Sequence, residues 1–384
     1  MVTFSVMFNL FLFSTVSILL LRYIFKDNKV ILQLDTRFLL VCMLVIMCRL
    51  LVPVEFPLTN SIAFSGLYYP EFCRFLRNTV DITTPGGIRV RTVLEMIWLF
   101  GSLIAFVWLV KSYWGIRMEM KTYKEVKNAH VIGLMEKVNR QYRHPVAFRI
   151  LNMEGGSTPC VFGIFKPCIM IPDIEVTEKE LEFIFTHEMK HFYRGDLWIK
   201  LFCEIFKVVY WFNPFAYLLC RLVAQTQEIN VDFSIMRKLT KKETLDYSAF
   251  LIRLTRDREK RKKNRKWLMA FQTESSILIS KRVKLMMDNL EISTKRTIAS
   301  VMLSIAMVGL IAVCPNVIIL EPYSIPEEDA RESVGLREDK MFYLKNEDGT
   351  YSLYISGEYT TRIAERFDES IPLYFNLEEA NKNE

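Results

Sequence analysis

The interpretation of this chain starts from one stretch, Thr177-Glu-Lys-Glu-Leu-Glu-Phe-Ile-Phe-Thr-His-Glu-Met-Lys-His-Phe-Tyr193. Thr177 followed by Glu180 matches a capping box, so a helix is predicted to begin there. On that helix His187 and His191 lie four residues apart, and their imidazoles therefore point from one face, about 6 Å apart along the axis. Two neutral imidazoles at this spacing can occupy two corners of a zinc tetrahedron.

Glu188 follows the first histidine and projects beside the pair. It is placed to take a proton from an attacking water rather than to bind the metal, as in the His-Glu-x-x-His helices of metallopeptidases. The alternative is a chance pair of histidines on an ordinary amphipathic helix. The chain has only four histidines, and His130 and His144 have no comparable context. The pattern therefore predicts a hydrolytic zinc site with Glu188 as general base.

A catalytic zinc site needs a third protein ligand, and several carboxylates are candidates. Glu228 and Asp232 are four residues apart on a later predicted helix, so one can bind the metal while the other orients a histidine through its free N–H. Asp196 and Glu204 lie closer in sequence but in less suitable positions. Spacing favours Glu228, while solvated helix charges remain the alternative for both later acids.

The segment Pro159–Pro172 precedes the histidine helix and is rich in β-forming residues, with a proline at each end. We predict a strand or hairpin. If its edge faces the site, it could hold an extended substrate by backbone pairing; a purely structural hairpin is the alternative.

Apolar runs in the chain are long enough to suggest membrane helices, each of which needs about 20 mainly apolar residues. The predicted spans are Phe4–Leu21, Phe38–Val54, Met96–Val110 and Ile298–Leu320. A fifth apolar stretch, Leu197–Ala224, contains charged residues and is broken at Asn213-Pro214. We predict two helices joined there and packed together, because a full crossing would separate His191 from the later acids.

Charge is segregated along the chain, whose formal net charge is +7. The middle is basic and the C-terminal tail is acidic, as expected for two sides of a membrane rather than for nucleic-acid binding. Basic segments at Arg22–Arg37 and Arg256–Lys266 indicate the cytoplasmic side. The eight cysteines have no CxxC spacing, and we expect reduced thiols without a role in metal binding.

These signals predict four parts. Residues 1–114 form three transmembrane helices with an external loop at 55–95, and residues 115–297 form a cytoplasmic zinc peptidase domain. Residues 298–320 form the fourth transmembrane helix, and residues 321–384 form a small acidic extracellular module. Alternation around Asp348-Gly349 predicts a β-hairpin in this tail. Both termini would lie outside a bacterial cell membrane.

The motifs, taken in order, resemble the M56 peptidases, membrane metallopeptidases typified by the β-lactam-sensing regulators of Gram-positive bacteria. They are Pro-x-x-Phe-Gly-x-x-x-Pro-x-Ile-x-x-Pro at 159–172, His-Glu-x-x-His-x-x-Arg-x-Asp at 187–196, Trp-Phe-Asn-Pro at 211–214 and Glu-x-x-x-Asp at 228–232. The sensing members carry a penicillin-binding domain with a Ser-x-x-Lys nucleophile, and the tail of this sequence has no such motif. It is therefore not expected to sense β-lactams.

The residues and the resemblance together predict a mainly α membrane protein with four transmembrane helices, a cytoplasmic α+β gluzincin-like zinc peptidase domain and a small β-rich external C-terminal module. The resemblance also implies roles for individual residues. Zinc, one ion per chain, would be bound by His187, His191 and Glu228, with Glu188 as the catalytic base. Asp232 would not bind the metal itself but would hold a ligand side chain in place. Arg194 and Asp196 would stabilise the structure around the site.

The expected function is a zinc-dependent membrane endopeptidase that transmits an extracellular signal by cleaving a cytoplasmic repressor, itself, or both. The alternatives are a housekeeping quality-control peptidase, which similarity to the M48 membrane peptidases allows, and a non-enzymatic sensor with a structural zinc. Expected partners are a protein or peptide substrate, such as a transcriptional repressor, and the lipid bilayer. A homodimer is allowed, and direct nucleic-acid contact is not expected.

Overall fold

A computed structural model describes most of the helical part of the chain and parts of the C-terminal tail. The described residues are 4–33, 36–52, 60–64, 79–80, 88–153, 158–261, 276–289, 318–322, 341–346, 350–355, 358–363 and 372–374. The chain divides into two compact units, residues 1–62 with 73–321 and residues 63–72 with 322–384.

Ten helices are present in these residues. They are α1 (Phe4–Ile24), α2 (Asn28–Gln33), α3 (Thr36–Leu51), α4 (Val90–Met120), α5 (Ala129–Asn139), α6 (Glu178–Tyr193), α7 (Asp196–Val209), α8 (Pro214–Met236), α9 (Lys241–Arg261) and α10 (Ser276–Asn289). The strands are β1 (Asn60–Phe64), β2 (Thr79–Val80), β3 (Ile88–Arg89), β4 (Lys124–Glu125), β5 (Arg149–Met153), β6 (Cys160–Phe162), β7 (Cys168–Pro172), β8 (Ile318–Pro322), β9 (Met341–Lys345), β10 (Tyr351–Ile355), β11 (Glu358–Ile363) and β12 (Leu373–Tyr374).

A four-stranded sheet precedes the histidine helix, with the order β4-β5-β7-β6. Strands β5 and β7 are parallel, and β6 pairs with β7 in an antiparallel hairpin, which confirms the prediction for Pro159–Pro172. Gly163 has φ +93° in the turn, a conformation that side chains with a Cβ rarely adopt. Strand β6 is the outer strand of this sheet, so one of its edges faces the neighbouring helix.

One apolar core joins this sheet to the helices of the site. On α6 the buried positions Leu181, Ile184, Phe185 and Glu188 follow the helical repeat. They pack with strand residues, and α8, α9 and α10 supply further members, including Met286. The core therefore fixes the orientation of α6 and α8 relative to each other.

A second apolar cluster joins the N-terminal helices to α7 and α8. Helix α7 ends at Val209, and α8 begins with Pro214 in its first turn and Asn213 as cap, whose side chain accepts a hydrogen bond from the Phe215 N–H. The two helices pack against each other. The prediction of two helices joined at Asn213-Pro214 and packed together is thus confirmed, and α8 also packs against α1 and α3.

Helix α4 is the one helix among the described residues that is long and apolar enough to cross a membrane by length and composition. It runs from Val90 to Met120, about 46 Å, so it contains the span predicted at 96–110 and extends past the predicted boundary at residue 114. The first two predicted spans fall on α1 and α3, which is only 16 residues long. Residues 298–317 of the fourth predicted span lie outside the described residues. Its last three residues, 318–320, belong to strand β8 and not to a helix, so the predicted end of this span at Leu320 is wrong.

The C-terminal unit contains a four-stranded sheet with the order β11-β10-β9-β12. Strands β9 and β10 are antiparallel, with Tyr351 opposite Lys345 and Ile355 opposite Met341, which confirms the predicted hairpin. Phe342 stacks on Tyr354 within it. Six cysteines in the described ranges are free thiols, in agreement with the expectation of reduced cysteines.

Replacing Gly101 by alanine is expected to destabilise the contact between α4 and the α7–α8 turn. A Cβ at this position would overlap the indole of Trp211, which also donates from Nε1 to the Trp98 carbonyl. Overpacking of this kind costs about 1–3 kcal/mol. Thermal unfolding in detergent would measure the loss. The control is Gly133→Ala on α5, where a Cβ meets open space, and equal behaviour of the two variants would contradict the prediction.

Candidate metal centre

The histidine helix begins and ends where its local sequence dictates. The capping box of Thr177 and Glu180 is present in both directions, as predicted. At the other end Arg194 caps the helix, and Gly195, with φ +76°, allows the chain to turn directly into α7. This tight junction buries Asp196 in the first turn of α7, beside the last turn of α6.

Three side chains converge between α6 and α8. The Nε2 atoms of His187 and His191 are 3.2 Å apart. One oxygen of Glu228, Oε2, lies 3.3 Å from the Nε2 of His187, and its other oxygen, Oε1, lies 3.3 Å from the Nε2 of His191. The three residues form a group whose ligand atoms all lie within 4.8 Å of one another.

These distances can be compared with those that a zinc ion requires. Bonds of about 2.0–2.1 Å at the tetrahedral angle place neighbouring ligand atoms about 3.3–3.4 Å apart. The two Nε2 atoms are 3.2 Å apart, and each lies 3.3 Å from one oxygen of Glu228, so each of these separations is close to that value. Two imidazoles and one carboxylate are also the ligand set of several catalytic zinc sites, which leave one position open. The residues present therefore fit a zinc ion.

Hydrogen bonds fix which nitrogen of each histidine faces the centre. The Nδ1 of His191 is 2.8 Å from Asp196 Oδ2, an acceptor, so the proton of this ring is on Nδ1. Tyr247 donates its hydroxyl proton to Asp232 Oδ1 at 2.9 Å and therefore accepts from the Nδ1 of His187, also at 2.9 Å. In both rings the nitrogen that faces the centre is therefore Nε2, the atom that a metal ion would bind after displacing any proton it carries.

The electrostatic field at this point favours a cation. Burial opposes a charge on His191, but Glu228 and the hydrogen bond to Asp196 outweigh it and raise the pKa of His191 to about 9. Burial alone would raise the pKa of Glu228, but His191 and Arg282 hold it well below its ordinary value. Glu228 is therefore a carboxylate, the charge state in which it can bind a metal ion.

Tyr247 remains a neutral donor because burial, followed by the charge of Asp232, raises its pKa well above 10. Its hydroxyl can therefore keep its proton for Asp232 while accepting from His187. This chain of contacts requires the phenol, since a phenolate could not donate to a carboxylate.

Glu188 lies on the same helix but points toward the sheet. Its Oε2 accepts a hydrogen bond from the backbone N–H of Val161 on β6 at 2.8 Å, and the side chain is buried. The general base expected from the sequence is therefore held at the edge of the outer strand, where an extended substrate could lie.

The other residues expected to support the site differ in how they reach it. Asp196 contacts the Nδ1 atom of His191 directly. Asp232 is 3.7 Å from the Nδ1 of His187 and reaches it through Tyr247, not by the direct hydrogen bond that the spacing suggested. Arg194 donates to the backbone carbonyl of Asn230 at 3.0 Å and thus ties the end of α6 to α8. Glu204, an alternative ligand, instead pairs with Lys207 on α7.

Two residues of the site, Tyr247 and Arg282, were not found by reasoning from motifs. Both belong to buried helix faces: Tyr247 is followed by buried Phe250 and Leu254, and Arg282 lies between buried Ile279 and Met286. The available signal was a polar residue at a position where the helical repeat places an apolar one. That signal indicates that the side chain is buried but does not identify its hydrogen-bond partner.

Replacing Asp196 by asparagine is expected to weaken zinc binding. The amide can no longer stabilise the positive charge that His191 gains as a ligand, and partners of this kind change metal affinity or activity by about 10–100-fold. Competition with a chromogenic chelator would measure the change. The control is Asp246→Asn on α9, where the carboxylate pairs with Lys179 at 2.9 Å away from the centre. Unchanged affinity in Asp196→Asn would contradict the assigned contact.

Comparison with known proteins adds an independent observation. The family described as BlaR1 peptidase M56 matches residues 78–286. The chain is 27% identical over 161 residues to regulatory protein BlaR1 of Bacillus licheniformis, covering 41% of this chain and 27% of that protein. It is 25% identical over 166 residues to the methicillin resistance mecR1 protein of Staphylococcus aureus, covering 42% and 28%. The matched segment spans less than a third of either relative.

Proposed function

This chain belongs to the M56 peptidase family, whose match covers more than half of it, and from this premise we propose that it is a zinc-dependent membrane endopeptidase that transmits a signal by proteolysis. Its zinc ligands are His187, His191 and Glu228, and its general base is Glu188. The observation that carries the proposal is the convergence of three side chains. The two Nε2 atoms are 3.2 Å apart, and each lies 3.3 Å from one oxygen of Glu228, with Glu188 held beside an outer strand.

The chemistry divides between the ion and the side chains. Zinc, when bound, supplies a Lewis acid that polarises the scissile carbonyl and lowers the pKa of water to about 7. Glu188 accepts the proton of the attacking water and delivers it to the leaving amine. Asp196 and Tyr247 keep both histidines in the tautomer that presents Nε2. The Val161 N–H holds the Glu188 carboxylate in place.

Substrate binding is assigned to the outer edge of β6, the edge that does not pair with β7. Because Val161 directs its N–H away from β7 and toward Glu188, this edge of the strand faces the base. An extended peptide that pairs with the same edge would bring its backbone next to Glu188. Recognition through the backbone suits an endopeptidase, since it requires a peptide but few particular side chains.

The proposed localisation is a multi-pass protein of the bacterial cell membrane with a cytoplasmic site. His191 and Glu228 meet although α7 and the first half of α8 lie between them, so this helix pair enters and leaves the apolar layer on one side. The basic segments at 22–37 and 256–266 favour the cytoplasmic side. Both termini would then be outside, with the acidic tail available to an extracellular signal.

The proposed substrate class is a cytoplasmic protein such as a transcriptional repressor, the chain itself, or both. The names of the relatives, a regulatory protein and a resistance protein, support a regulatory role rather than general turnover. A quality-control peptidase of M48 type and a non-enzymatic sensor are the competing functions.

Comparison of new protein N-termini in cells that express the wild type or Glu188→Gln tests the proposal. One or a few cleaved proteins that depend on Glu188 are expected. Many membrane-protein fragments would instead indicate quality control. Identical N-termini in both strains, with zinc bound to both proteins, would indicate a sensor without protease activity.

A further inference from the structure

Helix α10 brings a guanidinium group into the centre from a part of the chain to which no role has been assigned. Arg282 is 3% exposed. Its Nε donates to Asp232 Oδ2 at 2.6 Å and its Nη2 donates to Asp232 Oδ1 at 2.8 Å, a two-pronged contact. Its Nη1 lies 3.2 Å from Oε2 of Glu228. One side chain therefore holds both carboxylates that α8 presents to the site.

The contact with Asp232 alone would satisfy the charge of a buried arginine. Removing an arginine from water is costly, and a two-pronged pair with a carboxylate is its usual compensation. The third contact is different because it is made to a proposed metal ligand. It also neutralises repulsion between two carboxylates one helical turn apart. The geometry therefore gives Arg282 a direct effect on how Glu228 meets the centre.

The two oxygens of Glu228 are placed almost equally with respect to the histidines, each 3.3 Å from one Nε2. A carboxylate so placed can bind a metal through one oxygen or through both. In the part of the chain that the structure describes, the guanidinium contacts Oε2 of Glu228 and is anchored by Asp232, so it resists rotation of that oxygen toward the centre. Oε1, which faces His191, is left as the ligand atom.

We propose that Arg282 is a positioning residue that restricts Glu228 to binding zinc through one oxygen and so keeps one coordination position open for the reacting groups. The proposal rests on the metal site assigned above. It makes α10 part of the catalytic machinery, although this helix carries none of the family's metal-binding motif. Arg282 acts on the reaction through Glu228 and is not itself expected to exchange a proton.

The test uses the full chain in detergent as wild type, Arg282→Gln, Arg282→Lys and the control Lys284→Gln, an exposed cation on the same helix. Thermal unfolding of the metal-free proteins checks the fold, and zinc content checks binding. Each protein is then loaded with Co²⁺, whose visible absorption weakens as its coordination number rises. Cleavage of a proteome-derived peptide library gives the activity.

We expect Arg282→Gln to retain zinc, to show weaker Co²⁺ absorption than wild type, and to lose activity by about 10–100-fold, the usual effect of a residue that supports a ligand. Lys284→Gln should match wild type in all measurements. A folded Arg282→Gln with the wild-type Co²⁺ spectrum would overturn the proposal, and so would a folded variant that has lost its zinc.

Arg282→Lys keeps the test decisive if the glutamine variant does not fold. Lysine supplies the charge for Asp232 but lacks the planar fork that reaches Asp232 and Glu228 together. We therefore expect a folded protein with the weaker Co²⁺ absorption, and a wild-type spectrum would overturn the proposal. If the wild type itself bound no zinc, the metal site would be wrong. The experiment therefore distinguishes failure of the proposed zinc site from failure of the proposed role of Arg282.

Discussion

Replacement of Glu188 by glutamine is expected to reduce peptide cleavage by about 10²–10⁴-fold, the usual contribution of a general acid–base group. Glutamine has nearly the same volume and can still accept the hydrogen bond from the Val161 N–H. It cannot take up the proton of the attacking water. The loss should therefore appear in the rate of the chemical step, with the fold unchanged.

The measurement combines cleavage of a peptide library, followed by mass spectrometry, with zinc analysis of the same samples. Zinc content should remain at about one ion per chain, because Glu188 is not among the three converging ligands. The matched control is Glu182→Gln, an acidic residue on the same helix whose carboxylate lies 3.6 Å from Lys137. Wild-type cleavage by Glu188→Gln would remove the basis for the enzyme, and loss of zinc would place Glu188 in the ligand set.

Replacement of Glu228 by alanine should have the second large effect, loss of the metal. The variant removes one of three protein ligands, so its zinc affinity should fall by more than the roughly 10–100-fold that outer partners produce. The fold should persist, because Arg282 keeps its two hydrogen bonds to Asp232. A folded Glu228→Ala variant without zinc would therefore show an effect on metal binding rather than general unfolding.

Zinc-dependent stabilisation provides the measurement. A ligand that binds only the folded state stabilises it by about 2.7 kcal/mol at a concentration 100 times its Kd. Wild type and the control Glu182→Ala should show this rise in thermal stability when zinc is added after chelation. Glu228→Ala should show little of it at the same zinc concentration. A rise equal to that of wild type would exclude Glu228 as a ligand and reopen the choice among the acids of α8.

These outcomes also separate the competing functions. A structural zinc site would lose stability in Glu228→Ala but would be indifferent to Glu188→Gln. A peptidase should respond to both variants, by loss of the metal in one and loss of the base in the other. The two variants together therefore distinguish an enzyme from a sensor before any natural substrate is identified.

Local sequence determined the parts of the site that depend on neighbouring residues. The capping box at Thr177, the shared face of His187 and His191, and the break before Pro214 all follow from interactions within about four residues along the chain. The strand or hairpin predicted before α6 follows in the same way from β-forming residues between two prolines, with Gly163 inside the segment. Each of these was predicted correctly because the backbone geometry of one element decides it.

Contacts between separate helices and strands could not be predicted from such local patterns. Spacing favoured Glu228 as the third ligand but could not bring it to the histidines, because the packing of α6 against α8 does that. Spacing also suggested that Asp232 bonds a histidine, whereas Tyr247 stands between Asp232 and His187 and the direct carboxylate partner is Asp196, on His191. The turn at Gly195 decides this by directing Asp196 back toward α6.

Arg282 shows most clearly which contacts local sequence cannot predict. Its sequence position reveals a polar residue on an apolar helix face, and a buried arginine must find carboxylates. Which carboxylates it finds depends on how α10 packs against α8, a contact between residues 50 positions apart. The sequence by itself therefore determined the helix that carries His187, Glu188 and His191. Only the tertiary structure decided which acid lies beside the two histidines and which cation contacts that acid, because those choices depend on distances between helices that no local pattern encodes.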